Sequence, residues 1–168
     1  YAIVILSAVE GVEGHTTTIW QMLRKHNIPT FFFINKIDRE GANVKNVLQE
    51  IHDDFSTDII DVTEAFRKGQ MTEDLIEFLA ERNEILLDHY MDKGYQHDLW
   101  LRAMNELIKE GKIFPCSNGS ALQDIGIIDF LNTFHLLTET NYANEDTFSG
   151  RVYKIRHDEK GTRITFIK

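Results

Sequence analysis

The sequence predicts an α/β protein built on a parallel sheet with helices, and three observations carry that prediction. Residues 1–6 and 31–34 are apolar runs without polar alternation, the pattern of strands buried on both faces. Between them, apolar side chains recur at helical spacing, so strand, helix and strand form a βαβ unit with an expected right-handed crossover. A third apolar run, residues 113–116, is again followed by a loop and a helical pattern.

Each element has a local reason. Residues 7–15 read as the loop after the first strand, with Thr16, Thr17 and Thr18 as helix caps. The stripe Ile19, Met22, Leu23 and His26 marks the first helix. It must end near Asn27, because Pro29 disfavours helical geometry in the residue before it. A second helix carries Val44, Val47, Leu48, Ile51 and Phe55 on one face. Ile59 and Ile60 fit a short strand or a buried connection, and residues 63–68 a helical turn or more. Thr72, Glu73 and Asp74 start a longer helix through Leu75, Leu79, Ile85 and Tyr90, which Gly94 stops. Leu99, Ala103, Met104, Leu107 and Ile108 mark the next helix. Ile128, Leu131, Phe134 and Leu137 mark the last one. Residues 141–147 are polar and read as a linker. Asp158, Glu159, Lys160 and Gly161 then form a turn signal between two strand-like runs, a hairpin.

Composition excludes some functions. The chain has 168 residues and a net charge of −9, which argues against a general polyanion-binding surface. One cysteine, Cys116, excludes an intrachain disulfide framework and suits the reducing cytoplasm. No apolar run approaches the length of a membrane span. The first residues begin inside a strand pattern and the last end inside one, as expected for a piece of a longer protein.

The chemistry concentrates at two junctions where a strand gives way to its loop, the edge at which open α/β sheets bind ligands. After residues 31–34 come Asn35, Lys36, Ile37 and Asp38. Guanine offers two adjacent donors, its ring N1–H and its exocyclic amine, and the Asp38 carboxylate can accept both. Adenine presents a lone pair at N1 and would be refused. A bidentate pair of this kind discriminates by roughly 1–3 kcal/mol. Asn35 can reach the base or tie neighbouring loops together, and the Lys36 stem can lie along the ring face while its ammonium stays solvated. After the strand at 113–116, Gly119, Ser120, Ala121 and Leu122 form a small loop whose backbone can approach a ligand, with the Ala121 N–H aimed at guanine O6.

These motifs, with Val9, Glu10, Gly11 and Val12, with Ile28, Pro29 and Thr30, and with residues 148–155, resemble the translational GTPases of the elongation factor G type. The stretch 119–127 and the compact helical insert look most like the tetracycline-resistance ribosomal protection proteins of that class. The resemblance implies the C-terminal part of a P-loop-type GTPase domain over residues 1–140, with a helical insert about 57–112. Residues 141–168 would then be a linker and the first hairpin of a truncated β-barrel. It also implies GTP or GDP with Mg²⁺ as ligands of the longer protein, the ribosome as its partner, and a cytoplasmic location. The nucleotide-binding residues would be Asn35, Lys36, Ile37, Asp38, Ser120, Ala121 and Leu122.

The departures from that pattern are as informative. The sequence holds no Gly-x-x-x-x-Gly-Lys-Ser/Thr phosphate loop and no Asp-x-Pro-Gly-His element. Asp38 to Gly41 spells Asp-x-x-Gly but overlaps the base loop, and His15 reads as a loop residue without a catalytic part. No catalytic residue is expected here; the chain alone should be inactive, and it should not bind nucleotide tightly. The alternative is a nucleotide-independent interaction domain that keeps the fold without the catalysis. Truncation beside the first strand also leaves an open apolar edge, which self-association or the folded-back hairpin would cover.

Overall fold

The computed structural model describes residues 1–140 and 150–167. Its centre is a four-stranded, wholly parallel sheet in the order β1 (Ala2–Ser7), β2 (Thr30–Asn35), β4 (Phe114–Asn118), β3 (Ile59–Asp61). The predicted strands are all present, and Ile59 and Ile60 belong to a strand at the sheet's edge. Pro115 is tolerated because the β2–β4 register begins one residue beyond it, at Phe32 opposite Cys116.

The apolar run of β2 supplies both faces, since successive side chains point to opposite sides. Phe32 and Ile34 join Val4, Leu6, Trp20, Val47, Ile51, Phe114 and Cys116 under α1 (Gly14–Lys25) and α2 (Val44–Asp54). Phe31 and Phe33 face the other way, into one core with Leu75, Trp100, Met104, Ile108 and Phe130. Burying a phenylalanine completely is worth about 1.5–3 kcal/mol, so this strand anchors both layers.

Two helices sit differently from their expected stripes. In α1 the buried residue is Trp20, which stacks on Phe55 with ring centroids 5.6 Å apart, while Ile19 and Met22 are exposed. The indole outcompetes two smaller side chains for the space beside Phe32. The helix also starts at Gly14, before the three threonines, so they lie inside it and do not cap it; the Thr18 hydroxyl donates back to Gly14 O. His15 is an exposed residue of its first turn. In α7 (Ile127–Leu136) the buried side chains are Phe130 and Thr133, and Ile128 and Leu131 are exposed. Phe130 meets Phe33 at 4.9 Å, and this aromatic contact sets the helix's rotation.

The segment between β3 and β4 is helical: α3 (Thr63–Arg67), α4 (Glu73–Ala80), α5 (Glu84–Lys93) and α6 (His97–Lys109). The long helix expected from residue 73 to Gly94 is two helices. Asn83 breaks it, because its side chain accepts the Leu86 N–H at 3.2 Å and caps α5. Arg82 in the break donates to Asp58 at 3.1 Å and lies over Phe78. Gly94 does end α5, with φ of 75°. These helices share their core with Phe31, Phe33 and α7, so they are packed onto the sheet.

β5 (Val152–His157) and β6 (Arg163–Ile167) form the expected antiparallel hairpin. Among the described residues they pair only with each other, so the expected folded-back hairpin does not cover the edge of β1. The hairpin turn itself supplies the pairing those strands need. The predicted linker at 141–147 lies outside the described residues, as do Phe148, Ser149 and Lys168.

Candidate nucleotide-base site

β2 and β4 are neighbours, with Phe32, Phe33 and Ile34 opposite Cys116, Ser117 and Asn118. That register alone delivers the two predicted loops side by side. Their backbones are joined twice: Gly119 N donates to Ile34 O at 3.0 Å, and Ile37 N donates to Gly119 O at 3.3 Å. Asn35 completes the connection. Its Oδ1 accepts from Lys36 N at 2.8 Å and from Ala121 N at 2.9 Å. Asn35 therefore ties the loops together, and the Ala121 N–H meets Asn35 in this state.

Tight backbone packing holds the second loop in shape. Ser120 and Ile125 exchange a pair of backbone hydrogen bonds, at 2.9 and 3.0 Å, that close the turn between them. A Cβ on Gly119 would stand 2.2 Å from the Ile125 carbonyl oxygen, so only glycine fits. Leu122 sits at the exposed rim of this turn.

The first loop presents charge. The Asp38 side chain is only 10 % exposed. The Ser120 hydroxyl beside Asp38 holds its carboxyl below the usual carboxylate range, against the opposing pull of desolvation, with its own backbone N–H and Arg39 adding to the effect. Ser120 is fully buried, and its Oγ accepts the Gln123 N–H at 3.3 Å, which leaves its own proton for Asp38. The Arg39 Nε lies 4.0 Å away on a largely exposed side chain, a pairing of little energetic weight. Lys36 takes a left-handed φ of 67°, and its ammonium pairs with Glu10 at 3.1 Å; Glu10 also receives the Ser7 hydroxyl. The Lys36 stem is thus stretched across the loop edge.

Of the seven predicted residues, Asn35, Asp38, Ser120 and Ala121 converge. Ile37 serves through its backbone, with its side chain packed against the core beneath β2. Lys36 borders an open recess of about 390 Å³ with Val9, Glu10, Arg39 and Glu40. A second cavity, about 130 Å³, lies on the other side, lined by Ile37, Thr63, Arg67, Asn118 and Gly126 among others. Glu10 and Asn118 are further neighbours of the site; the sequence marks Glu10 only through the resemblance at residues 9–12, and Asn118 only as a residue of the second loop. A third cavity of about 170 Å³, between α3 and α7 beside Phe66, His97 and Leu136, is away from both loops.

Among the described residues, no three His, Cys, Asp or Glu side chains come together as a metal site. Cys116 is buried beneath the loops, and burial, with the Asp61 carboxylate, pushes its thiol well up, so it is inert. The site brings together the largely buried Asp38 carboxylate, the Lys36 stem and the Ala121 N–H, which donates to Asn35.

A parallel sheet with helices on both faces and paired loops at its carboxyl edge defines an open α/β domain with its ligand edge at those loops. Comparison with known proteins gives the family: the model described as the elongation factor Tu GTP binding domain matches residues 1–140, and the chain belongs to that family. Tetracycline resistance protein TetS of Listeria monocytogenes is 32% identical over 184 aligned residues, which cover 99% of this chain and 27% of the relative. Tetracycline resistance protein TetM from transposon Tn1545 of Enterococcus faecalis is 30% identical, again over 99% of this chain and 27% of its own length. The chain therefore spans about a quarter of these relatives. The crystal structure of ttk003000868 from Thermus thermophilus shares the fold at a TM-score of 0.76 and 16% identity, over 99% of this chain and 31% of that one. No helix among the described residues is long and apolar enough to cross a membrane.

Proposed function

We propose that this chain is the guanine-selecting part of the GTP site in a ribosome-associated translational GTPase of the cytoplasm. The observation that carries the reading is that the β2–β4 register sets the largely buried Asp38 carboxylate on a loop beside the Ala121 N–H, which Asn35 ties to the same edge. Asp38 accepts the guanine N1–H and amine. Ala121 exchanges its Asn35 acceptor for guanine O6, and Lys36 covers one ring face. Adenine would leave the carboxylate facing a lone pair and the amide facing an amine. The similarity to tetracycline resistance proteins supports a role in tetracycline resistance or in elongation on the ribosome.

Phosphate binding and hydrolysis belong, in this reading, to a segment of a longer protein, since these 168 residues carry no phosphate-loop motif. The chain by itself neither hydrolyses GTP nor binds it at low micromolar concentration. Calorimetry with GTP and Mg²⁺ checks this, and a clear micromolar isotherm would contradict it. Alone, the chain also self-associates through the open β1 edge, where Ile5 is 63% exposed. Sedimentation showing a stable monomer would remove that idea.

The decisive test is Asp38→Asn in the longer protein. The amide keeps one acceptor and places a donor opposite the exocyclic position, where xanthine carries a carbonyl. GTP affinity falls by at least roughly 1–3 kcal/mol and xanthosine triphosphate gains. Competition between the two triphosphates reads this directly. An unchanged preference for GTP would take Asp38 out of the site.

A further inference from the structure

We infer that Thr63, the first residue of the helical segment after β3, is a positioning residue for base recognition; the inference rests on the guanine reading above. The sheet's geometry creates the need for it. β3 ends at Asp61, and the last rung of its ladder is Val62 N donating to Cys116 O at 2.8 Å. The chain then turns into α3, so the next β4 amide, Asn118 N–H, has no backbone acceptor among the described residues. A backbone donor left unpaired there would be costly. The Thr63 hydroxyl fills the position of the missing rung. Its Oγ1 accepts from Asn118 N at 3.1 Å and from Asn118 Nδ2 at 2.9 Å, and it donates to Asp61 Oδ1 at 2.6 Å. All of the hydroxyl's hydrogen-bonding capacity is used. Asp61 also accepts the Thr63 N–H at 2.9 Å and the Asn118 side chain at 3.3 Å, so the three residues form a closed network.

Asn118 immediately precedes Gly119, and Gly119 O receives the Ile37 N–H of the first loop. A fixed Asn118 therefore fixes Gly119, and through it the spacing between Asp38 and Ala121. The carboxylate and the amide must match guanine's edge together, so that spacing sets specificity. The helical segment lies between the two loops in sequence, and its first side chain registers one against the other.

The test uses the full 168-residue chain and two variants, Thr63→Val, which removes the hydroxyl at near-constant shape, and Thr63→Ser, which restores it. Native-state amide exchange is read at Asn118, Ile37 and Ala121 against the β1 amides as reference. In Thr63→Val, exchange at Asn118, Ile37 and Ala121 rises by about three- to tenfold, the range expected for one net hydrogen bond. The β1 amides do not move, and Thr63→Ser restores the wild-type rates. Faster exchange at Asn118 alone would overturn the inference, because the bond would then be local. A uniform rise that includes β1 would overturn it too, because Thr63 would then contribute only general stability. A millimolar-range NMR titration with GDP and ADP gives the second readout. The valine variant loses GDP affinity by about three- to tenfold while ADP binding is unchanged, and an unaltered GDP-to-ADP ratio would overturn the positioning role. If the wild type itself shows no preference for GDP, the guanine reading fails, and the exchange rates at Ile37 and Ala121 still decide whether Thr63 registers the loops.

Discussion

The two loops at the carboxyl edge of the sheet are built from different parts of the chain. Residues 35, 36 and 38 act through side chains: the Asn35 carbonyl, the Lys36 stem and the Asp38 carboxylate each project from a short, charged loop. Residues 119–122 act through backbone: a glycine that admits no Cβ, a turn closed by paired amides, and the Ala121 N–H. Ser120 is the exception, and its hydroxyl works on the other loop's carboxylate. A side-chain loop tolerates backbone adjustment because long side chains re-aim. A backbone loop tolerates almost none, because its donors move only when the chain moves.

That contrast can be broken by substitution, and Gly119→Ala carries the largest expected effect. The new Cβ would meet the Ile125 carbonyl at 2.2 Å and the Phe33 ring at 2.9 Å, so the second loop must shift as a unit. Overpacking of this kind costs about 1–3 kcal/mol, and backbone as the obstructing partner puts it at the upper end. The urea midpoint should fall accordingly, and a variant as stable as wild type would show that this loop is not rigid. Asn35→Ala is intermediate. It removes the acceptor shared by Lys36 N and Ala121 N, both close to solvent, so water compensates and the loss is about 0.5–1.5 kcal/mol. The signature to look for is faster amide exchange at Ala121 without change in β1. Leu122→Ala is the smallest. Its side chain is 75% exposed, so stability should stay within about 0.5 kcal/mol and base preference should not change. A larger loss would mean that the second loop also recognises through a side chain.

The same division explains what could be read from the chain unaided. Residues 31–38 were legible because an apolar run and a charged loop are both written in side-chain chemistry. Gly119, Ser120 and Ala121 were legible as a loop, yet the task of Ser120 was hidden, since nothing local says that its hydroxyl will face Asp38. Trp20 was missed as the buried face of α1, because periodicity counts apolar positions and does not weigh an indole against Ile19 and Met22. Asn83 falls inside a continuous helical pattern in the sequence, although its side chain is free to cap a new helix. Asn118 and Thr63 read as a loop residue and a helix start, 55 residues apart, and no spacing rule joins them.

By itself, the sequence determined the alternation of apolar runs and helical stripes, and hence a parallel sheet with helices. It also determined the identity of the groups at two strand ends, because both follow from side-chain chemistry and short-range steric rules. Tertiary structure decided which strands are neighbours and therefore which loops meet. It put β4 between β2 and β3, gave Ala121 to Asn35 and Ser120 to Asp38, and ended β3 one rung early so that a threonine hydroxyl had to finish the ladder. The physical reason is that hydrogen-bond satisfaction and aromatic packing are settled between elements far apart in the chain, where local pattern carries no information.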